Sequence, residues 1–315
     1  MKTGQVVRGR HKTVCFDKRN KILTGIIKDR WIYAALIPTF AFIAVFMVYP
    51  VFEAIIKSFY DWKLSSYYTL KFIGFQNYIE ILKDELFWKS FKILLIFIVW
   101  GFVSTMFIMV PVTYMVYKLG NKGMGKFFQR MYVIPMMVPA IVLTLFWKFF
   151  YEPNFGMLNN LLIMLGQEKL THVWLGEAKT ALWSLLFIGF PWVSGFGFLV
   201  VLAGFQGIPD SLHESADLDG AGSFDKFIKI DIPLIIPQLK ILIILGMIGG
   251  IQQFSTQLIM TNGGPNYATT VPGLLMYKNA FSFGNLGYGS AIGVILFIII
   301  LLFTVYANNY IRRAD

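Results

Sequence analysis

Residues 211–237 read SLHESADLDGAGSFDKFIKIDIPLIIP, an acid-rich, small-residue segment wedged between two long apolar runs. Pro209 and Asp210 open it. Ser211 and Glu214 have the spacing of a capping box, in which each side chain satisfies a free N–H at a helix start. The first helix is expected to end at Gly220. Ala221 and Gly222 keep the turn thin, Ser223 is placed to cap a second short helix through Phe227 and Ile230, and Pro233 and Pro237 stop or bend the chain beyond it. The expected product is two short helices meeting at a corner without bulk. Its acids are Asp210, Glu214, Asp217, Asp219, Asp225 and Asp231, against only Lys226 and Lys229, on a chain of net charge +11. Such a corner suits a partner that presents cations or helix N-termini; the alternative is a solvated loop with ordinary capping residues.

The flanking runs set the class. Hydrophobic residues make up 57% of the 315 and charged residues 14%, a balance that belongs in a bilayer rather than a soluble core. Six apolar stretches are long enough to cross, at roughly 32–52, 93–117, 131–150, 181–203, 235–257 and 289–310, so the expected fold is an all-α polytopic membrane protein with six transmembrane helices. Pro111 falls in the second, and Pro135 and Pro139 in the third. Kinks there are tolerated where neighbours or a cavity satisfy the freed carbonyls.

Orientation follows Lys and Arg. Residues 1–30 hold nine of them, the 118–130 loop adds Lys118, Lys122, Lys126 and Arg130, and the chain ends with Arg312 and Arg313. Both termini are therefore expected in the cytoplasm of a multi-pass plasma-membrane protein, with the loops at 53–92, 151–180 and 258–288 outside and the acidic corner inside. Residues 1–30 read as an uncleaved basic tail, with Ile22, Leu23, Ile26 and Ile27 spaced for an amphipathic helix in the headgroup layer, preceding a membrane domain over 31–315. No nucleic-acid-binding module accompanies the charge.

Catalytic readings find little to stand on. The single cysteine, Cys15, rules out an intrachain disulfide, and His11, His172 and His213 lack metal-ligand spacing, so neither a metal site nor a catalytic residue is expected. Gly120–Lys126, GNKGMGK, meets the Gly-x-x-x-x-Gly-Lys pattern of a phosphate-binding loop, but Phe127 follows where Ser or Thr must coordinate magnesium. The run also links two membrane spans instead of following a strand.

Ionisable residues are absent from about 93–117, 131–147, 181–203 and 241–277. Ion-coupled carriers keep such groups at membrane depth, which counts against the alternative of an ion-coupled secondary transporter of a neutral solute. Neutral polar and aromatic linings suit a hydroxyl-rich solute, since amides bond hydroxyls while rings cover apolar sugar faces. The fifth run carries Gln252, Gln253 and Gln257, and the fourth carries Trp192 and Ser194. Either set contacts solute, or it bonds and packs against neighbouring helices, with Gly246, Gly249 and Gly250 allowing close approach.

The order of residues in the corner resembles the EAA loop of permease subunits in binding-protein-dependent ABC importers. That pattern is Glu-Ala-Ala, Asp-Gly-Ala, then Phe, Ile and Pro-x-x-x-Pro. Glu214, Ala216, Asp219, Gly220, Ala221, Phe227, Ile230, Pro233 and Pro237 match it, with the equally small Ser215 at the second Ala. Two outer segments extend the likeness to carbohydrate-uptake permeases of the larger maltose-type kind: FIGFQNYIEILKDELFW at 72–88 and TNGGPNYAT at 261–269. The resemblance implies a type I ABC importer permease fold in which 207–237 is a coupling loop, gripped through Glu214, Ser215, Ala216, Asp219, Gly220 and Ala221. It further implies a second similar permease, two ATPase subunits that hold the ATP and magnesium, an extracellular solute-binding protein, and a sugar or oligosaccharide as cargo.

Overall fold

The computed structural model describes residues 30–120 and 123–311, predominantly as helix. The amphipathic helix expected around Ile22, Leu23, Ile26 and Ile27, the basic groups of 1–29, Lys122, and Arg312 and Arg313 lie outside the described residues. The chain forms two compact units, Met1–Ile56 and Lys57–Asp315. The first is represented by α1 (Ala34–Lys57), long and apolar enough to cross a membrane. It exposes Phe40, Phe42, Phe46 and Met47, a surface suited to hydrocarbon.

The second unit opens with an antiparallel ribbon, β1 (Tyr60–Asp61) and β2 (Lys71–Phe72), then α2 (Gln76–Lys83) and α3 (Glu85–Lys118). The 72–88 segment is structural throughout. Asn77 is buried and donates to the carbonyls of Ser58 (2.8 Å) and Tyr60 (3.1 Å), Phe87 enters the core, and the Trp88 indole donates to Leu82 O. Asp84 caps α3 by accepting from the Leu86 N–H at 2.8 Å, so this span starts well before residue 93. Just ahead of Pro111 the helix widens into a π turn at Thr105–Met109, and the Thr113 hydroxyl donates to Met109 O at 2.7 Å. The wider turn makes room for the ring, and the hydroxyl satisfies a neighbouring carbonyl.

Prolines and glycines break the next runs. Helix α4 (Met124–Met137) and α5 (Ala140–Phe150) meet at 97° around Val138, which precedes Pro139 and is driven into the extended region (φ −82, ψ 129). After α6 (Met157–Met164) comes the fourth apolar run, and the expectation of a single span over 181–203 is corrected. It forms α7 (Ala178–Phe187) and α8 (Gly195–Gln206), parted by Gly189 (φ 84), Pro191 and Trp192 (φ 56). There follow α9 (Asp210–Leu218), α10 (Ser223–Leu234), α11 (Ile236–Gln252), α12 (Ser255–Thr261), α13 (Pro272–Tyr277) and α14 (Leu286–Ile311). The fifth run too is two helices, broken at Gln253 and Phe254. Among the described residues, α1, α3 and α14 can each span alone, and the number reaches six if each bent pair counts as one crossing.

One apolar core joins α2, α3, α11, α13 and α14 through Ile81, Leu94, Ile251, Leu274 and Ile292. A second joins α3 and α8 to the start of α11 through Val110, Val201, Phe205, Ile235 and Leu239. Helix α8 can lie this close to α3 because residue 197 is glycine: a Cβ there would sit 2.6 Å from the Met109 sulfur. The expectation for α11 holds only in part. A Cβ at Gly250 would lie 3.5 Å from Ile98, but among the described residues no atom of another element comes within 4 Å of a Cβ placed at Gly246 or Gly249.

Candidate functional site

The acidic corner is formed by α9 and α10. Helix α8 turns 63° into α9, and α10 turns 65° into α11, so the two short helices stand across the direction of the spans that flank them. Helix α9 ends at Leu218, with Asp219 as its last half-helical residue and Gly220 left-handed at φ 74. The Gly220 N–H donates to Asp217 O (3.1 Å) and the Ala221 N–H to Ala216 O (2.9 Å), the paired bonds of a Schellman ending. The turn is thus thin, as expected, and glycine supplies the conformation it requires.

The expected caps are corrected. Helix α9 starts at Asp210, after the extended Pro209, which places Ser211 and Glu214 inside the helix without capping bonds; Ser215 Oγ instead donates to Ser211 O at 2.9 Å. Ser223 is likewise the first helical residue, and Gly222 occupies the cap position without a side chain to offer.

Support comes from the C-terminal end of α3. The Phe227 ring sits 4.3 Å from Tyr114, Tyr114 and Tyr117 both pack on Phe205, and the Lys118 ammonium lies 5.1 and 5.3 Å over the two tyrosine rings. Charge on the corner is partly spent internally. Lys226 pairs with Asp217, Lys229 with Asp225 at 2.6 Å, and Asp231 is buried against His213. Glu214 and Asp219 remain exposed, as does Ser215; Ala216 is buried and Ala221 partly so. Two apolar side chains project beside these acids: Leu218, 91% exposed, and Phe224, 76% exposed. Sequence reading passed over both because it weighed charge. The signal was a large apolar residue on each side of a glycine turn that faces no apolar run.

The polar residues of the fifth run separate. Gln252 and Gln253 lie exposed at the break between α11 and α12, where the Gln253 amide donates to the Thr256 hydroxyl at 2.8 Å. Gln257 is buried on α12, its side-chain oxygen without a hydrogen-bond partner among the described residues. In the fourth run, Trp192 packs edge-on against Trp100, Phe187 and Phe190 and donates its indole N–H to Leu186 O, while Ser194 caps α8 by accepting from the Gly197 N–H. Both regions border α3, Trp192 through Trp100 and α11 through Ile98.

The 261–269 segment ties itself into a compact turn. Thr261 and Thr269 hydroxyls are 2.6 Å apart, and Asn262, Gly263, Asn266 and Tyr267 all have positive φ. Ammonium groups of Lys148, Lys278 and Lys89 donate to the carbonyls of Ile259, Asn262 and Asn266. The GNKGMGK run joins α3 to α4, with Met124 opening the latter.

The chain matches the family described as binding-protein-dependent transport system inner membrane component over residues 110–315. It is 31% identical over 283 residues to the probable ABC transporter permease protein YurN of Bacillus subtilis (strain 168), covering 89% of this chain and 95% of that one. Identity is also 31% to the sulfoquinovosyl glycerol transport system permease protein SmoG of Agrobacterium fabrum (89% and 90% covered) and 31% to the trehalose/maltose transport system permease protein MalF of Thermococcus litoralis (87% and 90% covered). A solved bacterial ABC transporter involved in import of the acidic polysaccharide alginate shares the fold, with a TM-score of 0.81 at 21% identity over 93% of this chain and 99% of that one. On this family match, and with the helical, membrane-spanning architecture that carries it, the chain belongs to the inner membrane components of binding-protein-dependent transport systems.

Proposed function

We propose that this chain is one of two permease subunits of an ATP-driven importer for a sugar or oligosaccharide delivered by an extracellular solute-binding protein. The observation that carries the reading is the exposed α9–α10 corner, where Glu214, Asp219, Leu218 and Phe224 surround the thin Gly220 turn and offer a separate ATPase a charged and apolar grip. Sulfoquinovosyl glycerol and trehalose/maltose appear in the names of relatives with similarity over most of their length, which supports a glycosidic cargo. With both termini cytoplasmic, the corner meets an ATPase that supplies ATP and magnesium. Closure of two ATPases would draw the corners of the two permeases together and rock their spans as rigid bodies, exchanging outward for inward access. Gln252 and Gln253 form the solute-facing patch of this subunit, their amides free to bond hydroxyls.

Liposomes test the reading. The isolated chain is expected to show no ATP hydrolysis and no uptake under a proton or sodium gradient, because its one P-loop-like run lacks the magnesium-binding hydroxyl and four apolar runs lack ionisable groups. Uptake of maltose, trehalose or sulfoquinovosyl glycerol, used as probes, appears once the co-purifying subunits, the solute-binding protein and internal ATP are added. Gradient-driven accumulation by the chain alone overturns it.

A further inference from the structure

Asp231 is fully buried, at 0% exposure, beneath the corner. Among the described residues its one ion-pair partner is His213, whose Nε2 lies 3.2 Å from Oδ1. The two atoms are at contact distance but misaligned for a hydrogen bond, and the Tyr114 hydroxyl of α3 lies beside the same carboxylate. His213 belongs to α9 and Asp231 to α10, so the pair bridges the glycine turn from behind. The rest of α9's attachment is slight. Ala216 is its sole buried residue, one methyl group's worth of apolar anchoring, and the other ionic link to α10, Lys226 with Asp217, is open to water on the aspartate side and correspondingly screened. Buried polar groups stripped of a polar neighbour are costly, so whatever separates His213 from Asp231 is resisted more than parting an exposed pair would be.

We infer that His213 and Asp231 are positioning residues, a tie that makes the coupling helix α9 move as one body with α10 and hence with α11, which carries Gln252 at its end. The inference rests on the assignment of α9–α10 as the ATPase-coupling element. It adds how force on an exposed helix with so small an apolar footing reaches the solute-facing break: through the buried pair into α10, and through the 65° bend into α11.

The test uses the complex purified through a tag on this subunit and reconstituted in liposomes. Nitroxide labels are placed on α9 at Ser211→Cys and on α11 at Leu245→Cys, two exposed positions outside the grip and the amide patch, in a Cys15→Ser background with cysteines of the partner subunits replaced, and distances are read by pulsed EPR before and after trapping with ATP and vanadate. With the tie intact, the label distance stays the same across trapping. In His213→Ala it is expected to shift or broaden on trapping while ATP hydrolysis continues, and the neutral pair His213→Gln with Asp231→Asn, which keeps the approximate shape and can hydrogen-bond across the same contact, is expected to restore the single distance. Should His213→Ala fail to insert, Asp231→Asn alone removes only the charge and gives the same reading. An unchanged distance in these single variants overturns the tie. Failure of the underlying assignment shows differently: Leu218→Cys would then give no cross-link to the ATPase in an otherwise unaltered chain.

Discussion

The corner at 207–237 and the break at 253–254 both interrupt an apolar helix and both leave polar side chains exposed, yet they are built on opposite plans. At the corner every device is structural: the left-handed Gly220, the paired bonds to Ala216 and Asp217, and the aromatic bed of Tyr114, Phe205 and Phe227. The side chains that project from that frame form a fixed constellation, suited to fit a preformed cleft. At the break no glycine or cap ends α11. Gln253 turns extended, Phe254 comes next, and α12 restarts at Ser255 with one side-chain bond, Gln253 to Thr256. The amides there retain bonding capacity beside an apolar helix, where unsatisfied polar groups are expensive. Rigidity with projecting contacts suits docking; unspent bonding capacity in an apolar span suits a passing, hydroxyl-rich cargo.

The largest effects should therefore come from the corner, and they should be all-or-none. Gly220→Ile sets a β-branched residue in a left-handed conformation that costs about 1–2 kcal/mol, and adds bulk where the turn is thin. Glu214→Lys reverses an exposed charge at the centre of the grip. Each is expected to abolish uptake at matched membrane levels, as loss of an interface anchor worth about 2 kcal/mol or more does. Gly220→Asn, which tolerates positive φ, should keep most of it. Leu218→Asp and Phe224→Asp should release the ATPase in pull-down assays. Normal uptake by both Gly220→Ile and Glu214→Lys would break the comparison at its stronger side.

At the break the effect should be smaller and of another kind. On the proposed solute path, Gln252→Leu and Gln253→Leu each remove a hydrogen bond worth about 0.5–1.5 kcal/mol, and uptake is expected to fall roughly two- to tenfold. ATPase capture should be unchanged, since these residues lie one helix away from the corner. Loss of subunit assembly instead would assign the amides to helix contacts, and the two interruptions would then both be structural.

The same contrast governs how legible these regions were in the sequence. The glycine turn was readable because a single residue type satisfies its backbone requirement, and the apolar runs were readable from composition. The caps misled: Ser211 and Ser223 have capping residue types, but α9 begins two residues earlier with Pro209 in the cap position, and Gly222 takes the second cap position. The break at Gln253 carried no local signal, being neither glycine nor proline. The split of the fourth run was marked by Gly189 and Pro191, yet hydropathy alone smooths over such residues. Side-chain partners were out of reach altogether: for Trp192 and Ser194 the sequence left solute contact and helix packing both open, and the folded chain sets Trp192 in an aromatic cluster and Ser194 at the cap of α8.

Gln257 offers the finest cut between the two plans. It is four residues beyond Gln253 and chemically identical, but only 3% exposed, and its side-chain oxygen has no hydrogen-bond partner among the described residues. Its role in bonding is carried by its backbone carbonyl, which accepts from the Thr261 hydroxyl at 3.0 Å and would persist in any substitution. Gln257→Leu keeps nearly the same volume while removing a buried oxygen that is left unsatisfied, so the cost of about 1–3 kcal/mol attached to such a group is relieved rather than incurred. The expected result is uptake within about twofold of the unaltered complex and a thermal midpoint of the detergent-solubilised complex that is equal or slightly raised. A fall in uptake as large as that of Gln253→Leu, at unchanged midpoint, would move Gln257 into the solute path and show that burial within one subunit does not separate the two kinds of amide.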